Sequence, residues 1–388
     1  MKPTVMSTLI PPPAMLGMLG GGQLGRFFVI AAHEMGYQVT VLDPDQNSPA
    51  GKIADVHLCA NYDDDAALEQ MAKTCAAVTT EFENVPAQTL RKLEEATIVR
   101  PSSKSVAIAQ NRIHEKNFIN DAGLPVAPFA VIHNANELPN DASSLYPGIL
   151  KVARFGYDGK GQARVKNQTE AQKAFGEFRE LCVLEQMLPL DLEVSVVLAR
   201  DAQGNIEAFP TAENSHLNGI LDFSIAPARC SEVLKANARE LAKKLAEKLN
   251  YVGVLGVEFF VVKNQLLVNE IAPRPHNSGH YTIDACITNQ FEQQVRVLAG
   301  LPLGDASLHS NAVMVNILGD SWFDRVKKDA LEPAWNKACS HANLKLHLYG
   351  KHEPRQGRKM GHFTVIGQDA KKVLNAALVA RSELHIGE

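Results

Sequence analysis

Apolar positions along the chain change their period more than once. Residues 14–19 form a short apolar run ending in glycines, and residues 24–35 then place apolar side chains at helical spacing. A second apolar run at 38–42 stops at Asp43-Pro44. Runs at 76–79 and 97–99 have the same texture, with helical stretches at 65–72 and 86–95. Strand alternating with helix predicts a parallel sheet covered on both faces, in a domain of about 100 residues. After Pro101 the spacing predicts one helix over 105–122, closed by Gly123 and Pro125. From Pro147 the pattern turns to strands joined by Gly-rich turns, at 148–153, 183–186, 192–199 and 206–210. An amphipathic helix at 232–249 precedes a strand pair at 256–262 and 266–271. The tail returns to short strands at 313–318, 344–348 and 361–366, then a final helix. The region after Pro147 therefore reads as α+β with mostly antiparallel pairing.

A length of 388 residues predicts two or three domains, and 45% hydrophobic with 21% charged residues is globular composition. Lys+Arg number 39 against 43 Asp+Glu, so no global basic field exists for nucleic acid and any anionic ligand needs a local cluster. No apolar run reaches the roughly 18 residues of a membrane span. The six cysteines are scattered without a C-x-x-C pair, which points to reduced thiols in a cytoplasmic protein. The start, up to Pro11-Pro12-Pro13, lacks the apolar core of a signal peptide and reads as an unstructured leader.

Four features carry chemistry. Gly20-Gly21-Gly22-Gln23-Leu24-Gly25 matches G-x-G-x-x-G between a strand and a helix, and Asp43 ends the next strand where a dinucleotide fold keeps its ribose acid. Three readings stay open for it: NAD, close helix packing, or amides holding the phosphate of another ligand. Lys151 sits in an apolar strand, where a lysine needs an anionic partner, and the glycine loop 156–162 follows it. If residues 263–265 form the turn of the 256–271 strand pair, Glu258 falls opposite Glu270 in apolar surroundings. Like charges there conflict, and a divalent cation, magnesium by its preference for oxygen ligands, removes the conflict. The run from Glu185 through Gln186, Met187 and Leu188 to Glu193 suits a linker reading adenine and ribose.

Taken together, Lys151, the loop 156–162, Glu185–Leu188 with Glu193, and Glu258/Glu270 resemble the ATP-grasp ligases. Further strings narrow the resemblance: Gly20–Arg26, Thr80-Glu81-Phe82-Glu83-Asn84-Val85, Tyr157-Asp158-Gly159, Ala272-Pro273-Arg274-Pro275-His276-Asn277-Ser278-Gly279-His280, and Tyr349-Gly350-Lys351 with Gly357-Arg358-Lys359. They are similar, in order and over about residues 15–366, to the family of 5-(carboxyamino)imidazole ribonucleotide synthases. The resemblance implies an N-terminal parallel-sheet (pre-ATP-grasp) domain at 14–104, a two-lobed ATP-grasp domain at 105–300 with its lid lobe at about 125–190, and a small β-rich domain at 301–388. It implies ATP, bicarbonate and 5-aminoimidazole ribonucleotide as substrates, magnesium as cofactor, carboxylation of an exocyclic amine in purine biosynthesis, a cytoplasmic location and a homodimer.

Site roles follow from the same resemblance. Arg112 and Lys151 would contact ATP phosphates under a lid of Gly156, Tyr157, Asp158, Gly159, Lys160, Gly161 and Gln162. Glu185, Gln186, Met187 and Leu188 would surround adenine, Glu193 the ribose, with His216 nearby. Glu258 and Glu270, with Asn269, would hold the metal. Lys351, Arg358 and Lys359, helped by amides around Gln23, would hold the ribonucleotide phosphate. Arg274, His276 and Asn277 would line the carboxylation centre, with Glu81 and Tyr157 close to substrate. Whether His276 or a carboxylate takes the amine proton is left open. Many ATP-grasp proteins have Asn two residues after the second metal Glu, where this chain has Ala272. Related ligases using formate or biotin would share the ATP half, and a dehydrogenase would account only for the first 45 or so residues. His276 and His280 could also be read as a zinc pair, though no third ligand lies nearby.

Overall fold

The computed structural model describes residues 9–156, 160–323 and 330–386. Its first layer is a five-stranded parallel sheet in the order Val56–Leu58, Gln38–Leu42, Met15–Leu19, Ala77–Thr80, Ile98–Val99. The central strands are apolar on both faces because both are covered. Phe28, Val29 and Ala32 of helix Gln23–Glu34 pack on one face. Leu68, Met71, Leu90 and Leu93, from helices Asp65–Thr74 and Ala87–Glu94, pack on the other. The edge strand Val56–Leu58 has no apolar run to announce it. Helix Gln290–Ala299, far along the chain, completes this first core with Phe291, Val295 and Leu298.

The leader is partly anchored, contrary to expectation. Ile10 is buried in that core, its N–H donates to Ala299 O at 2.9 Å, and its carbonyl accepts from Tyr37 Oη at 2.7 Å. The single helix expected over 105–122 is two, Ser103–Ala109 and Arg112–Asp121. Asn111 breaks it: its backbone is extended (φ −130°, ψ 113°) and its side chain accepts the N–H groups of Ile113 and His114. The break makes Arg112 the first residue of a new helix, whose N–H donates to Ala153 O at 2.8 Å.

Two antiparallel sheets follow. A four-stranded lid sheet runs Phe129–Ile132, Cys182–Gln186, Gly148–Val152, Gln162–Val165, backed by helix Gln168–Phe178. A nine-stranded sheet runs Gln265–Ala272, Gly253–Val262, Leu192–Arg200, Ala212–Leu217, Ile220–Ala226, Asn311–Leu318, Lys359–Gly367, Leu344–Leu348, with Ile206–Ala208 beside Leu192–Arg200. The C-terminal strands thus continue the central sheet, through Asn311–Leu318 on Ile220–Ala226, instead of making a sheet of their own. Helix Glu232–Lys248 buries Leu234, Ala238, Ala242 and Leu245 against the first half of this sheet. Helix Ala370–Glu383 buries Val373, Ala377 and Ala380 against the second.

The hairpin that carries the two glutamates is built differently from the sequence expectation, yet reaches the same pairing. Its loop is two residues, with Val262 opposite Gln265 and both Lys263 (φ 49°) and Asn264 (φ 61°) left-handed. Continued regularly, that register would set Glu258 opposite Asn269. A bulge between Glu258 and Phe259 adds one residue on the second strand, so Glu258 pairs with Glu270 after all. The outer edge of this hairpin is covered: the N–H of Val268 donates to Pro125 O (2.7 Å) and that of Ile271 to Glu115 Oε1 (2.6 Å). Because a lysine pays steric strain at positive φ, replacing Lys263-Asn264 with Asn-Gly is expected to stabilise the protein by about 0.5–1 kcal/mol. The check is the midpoint of chemical denaturation, and a lower midpoint would contradict this turn geometry.

Candidate active site

The bulge residue Asn269 joins the two glutamates into one oxygen-rich pocket. Its Nδ2 donates to Glu258 Oε2 at 3.4 Å, while its Oδ1 is buried and has no hydrogen-bond partner among the described residues. Burial, and then the Glu270 charge, push the Glu258 carboxyl up to about 7. Glu270 Oε2 lies 3.4 Å from Arg112 Nη2. His216 Nδ1 lies 3.1 Å from Glu193 Oε2. Burial alone would depress His216, but Glu193 and Glu258 outweigh it and raise its pKa. Glu193, Glu258, Glu270 and His216 are therefore electrostatically coupled.

The lid side is cationic. Glu185 was expected at adenine, but its side chain is 2% exposed and lies between Lys151 Nζ (3.1 Å) and Lys116 Nζ (3.4 Å). Burial would raise its pKa, yet Lys151, Lys116 and Arg112 hold it at about 2. Lys116 was missed, although it lies one turn after Arg112 on the same helix face and its side chain is 0% exposed. Burial lowers the Lys151 pKa and Glu185 opposes that. Glu115, from the same turn, is pushed up to about 7 by burial despite Arg112. The amides of Gln186 and Met187 are engaged by Pro128 O and Pro147 O, both at 2.9 Å, and the Met187 side chain is exposed. Gly156, Lys160, Gly161 and Gln162 flank the glycine loop, with Gly161 O accepting from Val152 N–H at 2.8 Å. Tyr157, Asp158 and Gly159 lie outside the described residues.

The glycine turn is braced by carboxylates of the chain itself. Gly21 N–H donates to Asp43 Oδ2 (2.7 Å), which also accepts from Tyr62 Oη (2.7 Å). Gly22 and Gly25 N–H donate to Glu81 Oε1 (2.5 Å) and Oε2 (2.7 Å). Two carboxylates of this chain therefore occupy the donors that a dinucleotide or a phosphate would need. Asp43 and Glu81 thereby brace the turn from within the chain. Beside the turn, Lys351 Nζ donates to Gln23 Oε1 (2.8 Å) and Lys359 O (2.7 Å), and Arg358 Nη1 donates to Glu353 O (2.8 Å).

The Arg-Pro-His-Asn string follows the second glutamate strand. Arg274 Nε donates to Glu83 Oε2 at 2.5 Å, and Glu83 is a second residue the sequence did not single out. His276 is buried, its Nε2 3.6 Å from Glu258 Oε1, and burial with Arg274 and Lys359 lowers its pKa to about 3. Asn277 is buried with neither Oδ1 nor Nδ2 partnered among the described residues. His280 packs elsewhere: its ring lies tilted with its centroid 4.8 Å from that of His362, and its Nδ1 lies 3.1 Å from Gln290 Nε2. Among the described residues His276 and His280 do not fall in a cluster with metal-ligand spacing. All six cysteines are free.

A lid sheet facing a central antiparallel sheet, with buried cations on one side and paired carboxylates on the other, defines an ATP-grasp enzyme. Models for the ribonucleotide synthetase preATP-grasp domain, the ATP-grasp domain and the phosphoribosylaminoimidazole carboxylase C-terminal domain match residues 14–110, 117–291 and 312–376. The chain belongs to the N5-carboxyaminoimidazole ribonucleotide synthase family, ATP-dependent ligases of purine biosynthesis. It is 44% identical to the Bacillus subtilis synthase over 363 residues, 93% of each chain. It is 44% identical to the Brucella melitensis synthase over 364 residues, 92% of this chain and 98% of that one. A solved ADP complex of N5-carboxyaminoimidazole ribonucleotide synthetase superposes with TM-score 0.92 at 41% identity, covering 99% and 100% of the two chains. The Aspergillus clavatus enzyme, solved with ADP and 5-aminoimidazole ribonucleotide, gives TM-score 0.85 at 30% identity over 98% and 100%. Among the described residues no helix is long and apolar enough to cross a membrane.

Lys116 gives the lid network a direct test. Lys116→Met leaves Glu185 with fewer counter-charges in a buried site, and is expected to cost about 3 kcal/mol of stability. Adding Glu185→Gln should recover part of that loss. A double-mutant cycle by chemical denaturation measures the coupling, and additive losses would mean that the pair is not linked.

Proposed function

We propose that this chain carboxylates the exocyclic amine of 5-aminoimidazole ribonucleotide with ATP and bicarbonate, forming ADP, phosphate and 5-(carboxyamino)imidazole ribonucleotide. The observation that carries the reading is the contact between half-sites. Glu258, in the triphosphate half, lies 3.6 Å from His276, in the loop of Arg274 and Asn277. A phosphoryl group activated in one half is thus delivered beside the other.

ATP lies between the sheets. With the amides of Gln186 and Met187 engaged, Leu188 supplies the amide for adenine, and Glu193 with His216 takes the ribose. Arg112, Lys116 and Lys151, with Lys160, Gly161 and Gln162 above them, hold the phosphates. Glu258, Glu270 and Asn269 Oδ1 fit magnesium: a hard oxygen set, one atom of it buried without a partner, and one carboxyl that burial and its neighbour otherwise drive toward protonation. Asn269 thereby serves where many relatives of the fold use the residue at Ala272. When bound, the ion would neutralise charge on the transferring phosphoryl group.

Bicarbonate is a poor electrophile with hydroxide as its leaving group. Attack of its oxygen on the γ-phosphorus, with loss of ADP, converts that leaving group to phosphate. The exocyclic nitrogen then bonds to the carboxyl carbon as the C–O bond to phosphate breaks, directly or after carbon dioxide is released. Arg274, held by Glu83, steadies the carboxyl oxygens, and Asn277 offers its unpartnered amide to the same group. Lys351, Arg358 and Lys359 hold the ribonucleotide phosphate, with Gln23 and Glu81 fixing the turn beside it. Family membership also supports a homodimer and a cytoplasmic location.

Phosphate release is the test. It is expected only when ATP, bicarbonate and 5-aminoimidazole ribonucleotide are all present, and release with formate in place of bicarbonate would overturn the reading. Glu270→Gln, and removal of divalent ions with EDTA, are each expected to abolish turnover while circular dichroism stays unchanged. A variant keeping most of its turnover would remove the metal assignment. Lys351→Ala and Arg358→Ala are expected to raise the KM for the ribonucleotide at least tenfold more than that for ATP. Equal effects on both KM values would take these residues out of the phosphate site.

A further inference from the structure

The two ring nitrogens of His276 have different surroundings. Nδ1 faces into the fold, where it accepts the Ser278 backbone N–H at 3.4 Å as cap of the short turn Asn277–Gly279, and lies 2.8 Å from Ser278 Oγ. A backbone N–H can only donate, so Nδ1 presents its lone pair to Ser278 and a neutral ring carries its proton on Nε2. The hydroxyl geometry agrees. Ser278 Oγ accepts from Ser195 Oγ–H at 2.7 Å, which leaves its own hydrogen for Nδ1. Both serines are buried, at 2% and 0% exposure, so solvent does not compete for these bonds. An imidazolium would set an Nδ1–H against the Ser278 N–H, two donors facing each other. Nε2 points the other way, to the side of Glu258 Oε1.

We propose that Ser195 and Ser278 are positioning residues that fix His276 as its Nε2–H tautomer, so that His276 works as a neutral hydrogen-bond donor to a carboxyl or phosphoryl oxygen and not as the base for the amine proton. This rests on the placement of the carboxylation centre at Arg274–Asn277. A base must turn a lone pair toward the substrate, and the lone pair of His276 is turned toward Ser278. The amine proton goes instead to another acceptor, and the departing phosphate, itself a base, is at hand when the carbon–nitrogen bond forms. Beside the fixed charge of Arg274, a neutral N–H adds direction without requiring its own protonation.

Full-length protein labelled with 15N-histidine reads the tautomer directly. His276 signals are identified by their loss in His276→Gln. The expected result is a pyrrole-type Nε2 and a pyridine-type Nδ1, unchanged between about pH 6 and 9. An Nδ1–H tautomer, or a ring that titrates in that range, overturns the proposal. Kinetics test its use. His276→Gln keeps an N–H donor and is expected to retain at least about tenfold more kcat than His276→Phe. Equal losses in both variants would overturn the donor role. Ser278→Ala is expected to lower kcat about three- to tenfold, the worth of one neutral hydrogen bond, with the KM for ATP within twofold of wild type. Unchanged kcat would remove Ser278 from the positioning role. If the tautomer stands and Gln and Phe behave alike, the hydrogen-bond chain is right and the placement of the carboxylation centre is wrong.

Discussion

The structure depends on two carboxylates forced together in an apolar hairpin. Cross-strand neighbours of like charge destabilise a sheet, and here the Glu258 side chain is only 13% exposed, so water screens the conflict little. The fold does nothing to separate them. It adds a bulge residue to keep them opposed, and covers the strand edge with Glu115 and the carbonyl of Pro125 so that the hairpin cannot slip. A pair of carboxylates held this way fits the divalent cation and triphosphate proposed for the site, whose charge would relieve the conflict. The lid sheet and the helix Arg112–Asp121 beside it carry the electrostatic complement: Arg112, Lys116 and Lys151 gather around a single buried carboxylate, Glu185. Arg112 sits between the two groups, 3.4 Å from Glu270 and coupled to Glu185, so it links the carboxylate pair to the lysine cluster.

The glycine turn shows the opposite solution. Its amides and helix N-terminus would bind an anion, and in this chain Glu81 and Asp43 are already there. The turn is thereby braced from within the chain. It presents Gln23 to Lys351 across the junction between the first domain and the C-terminal strands. Helix Gln290–Ala299 stiffens the same junction from the other side, because the first core is incomplete without its apolar face. The proposed substrate half therefore draws on three stretches distant in sequence, and its geometry would be only as good as that junction.

What was legible in the chain followed burial. Strongly apolar strands such as Gln38–Leu42 and the long helix Glu232–Lys248 could be read from periodicity. Strands with mixed faces, Val56–Leu58 and Ala212–Leu217, could not, since tertiary pairing and not local pattern makes them. The break at Asn111 was hidden because helical spacing continues across it, while the capping side chain decides the ending. The facing of Glu258 and Glu270 was reached from a wrong turn length, which the bulge at Asn269 happened to offset. Lys116 and Glu83 were missed for a related reason. Each acts on a residue far along the chain, Glu185 or Arg274, and no local spacing reports a partner 69 or 191 positions away.

The hydrogen-bond chain behind His276 connects these points. Ser195 pairs across the sheet with Glu258, so the serine that starts the chain and the carboxylate that the ring faces are neighbours on adjacent strands. The register that opposes the glutamates thus also sets the depth of Ser195, and through Ser278 the rotation of the imidazole. A slip of one residue would turn Ser195 to the other face and release the ring, together with the metal pocket. On the proposed assignment, phosphoryl activation and carboxyl transfer are in this way tied to one strand alignment. Separate tuning of the two half-reactions would require changing the loop of Arg274 to Asn277 and leaving the sheet alone.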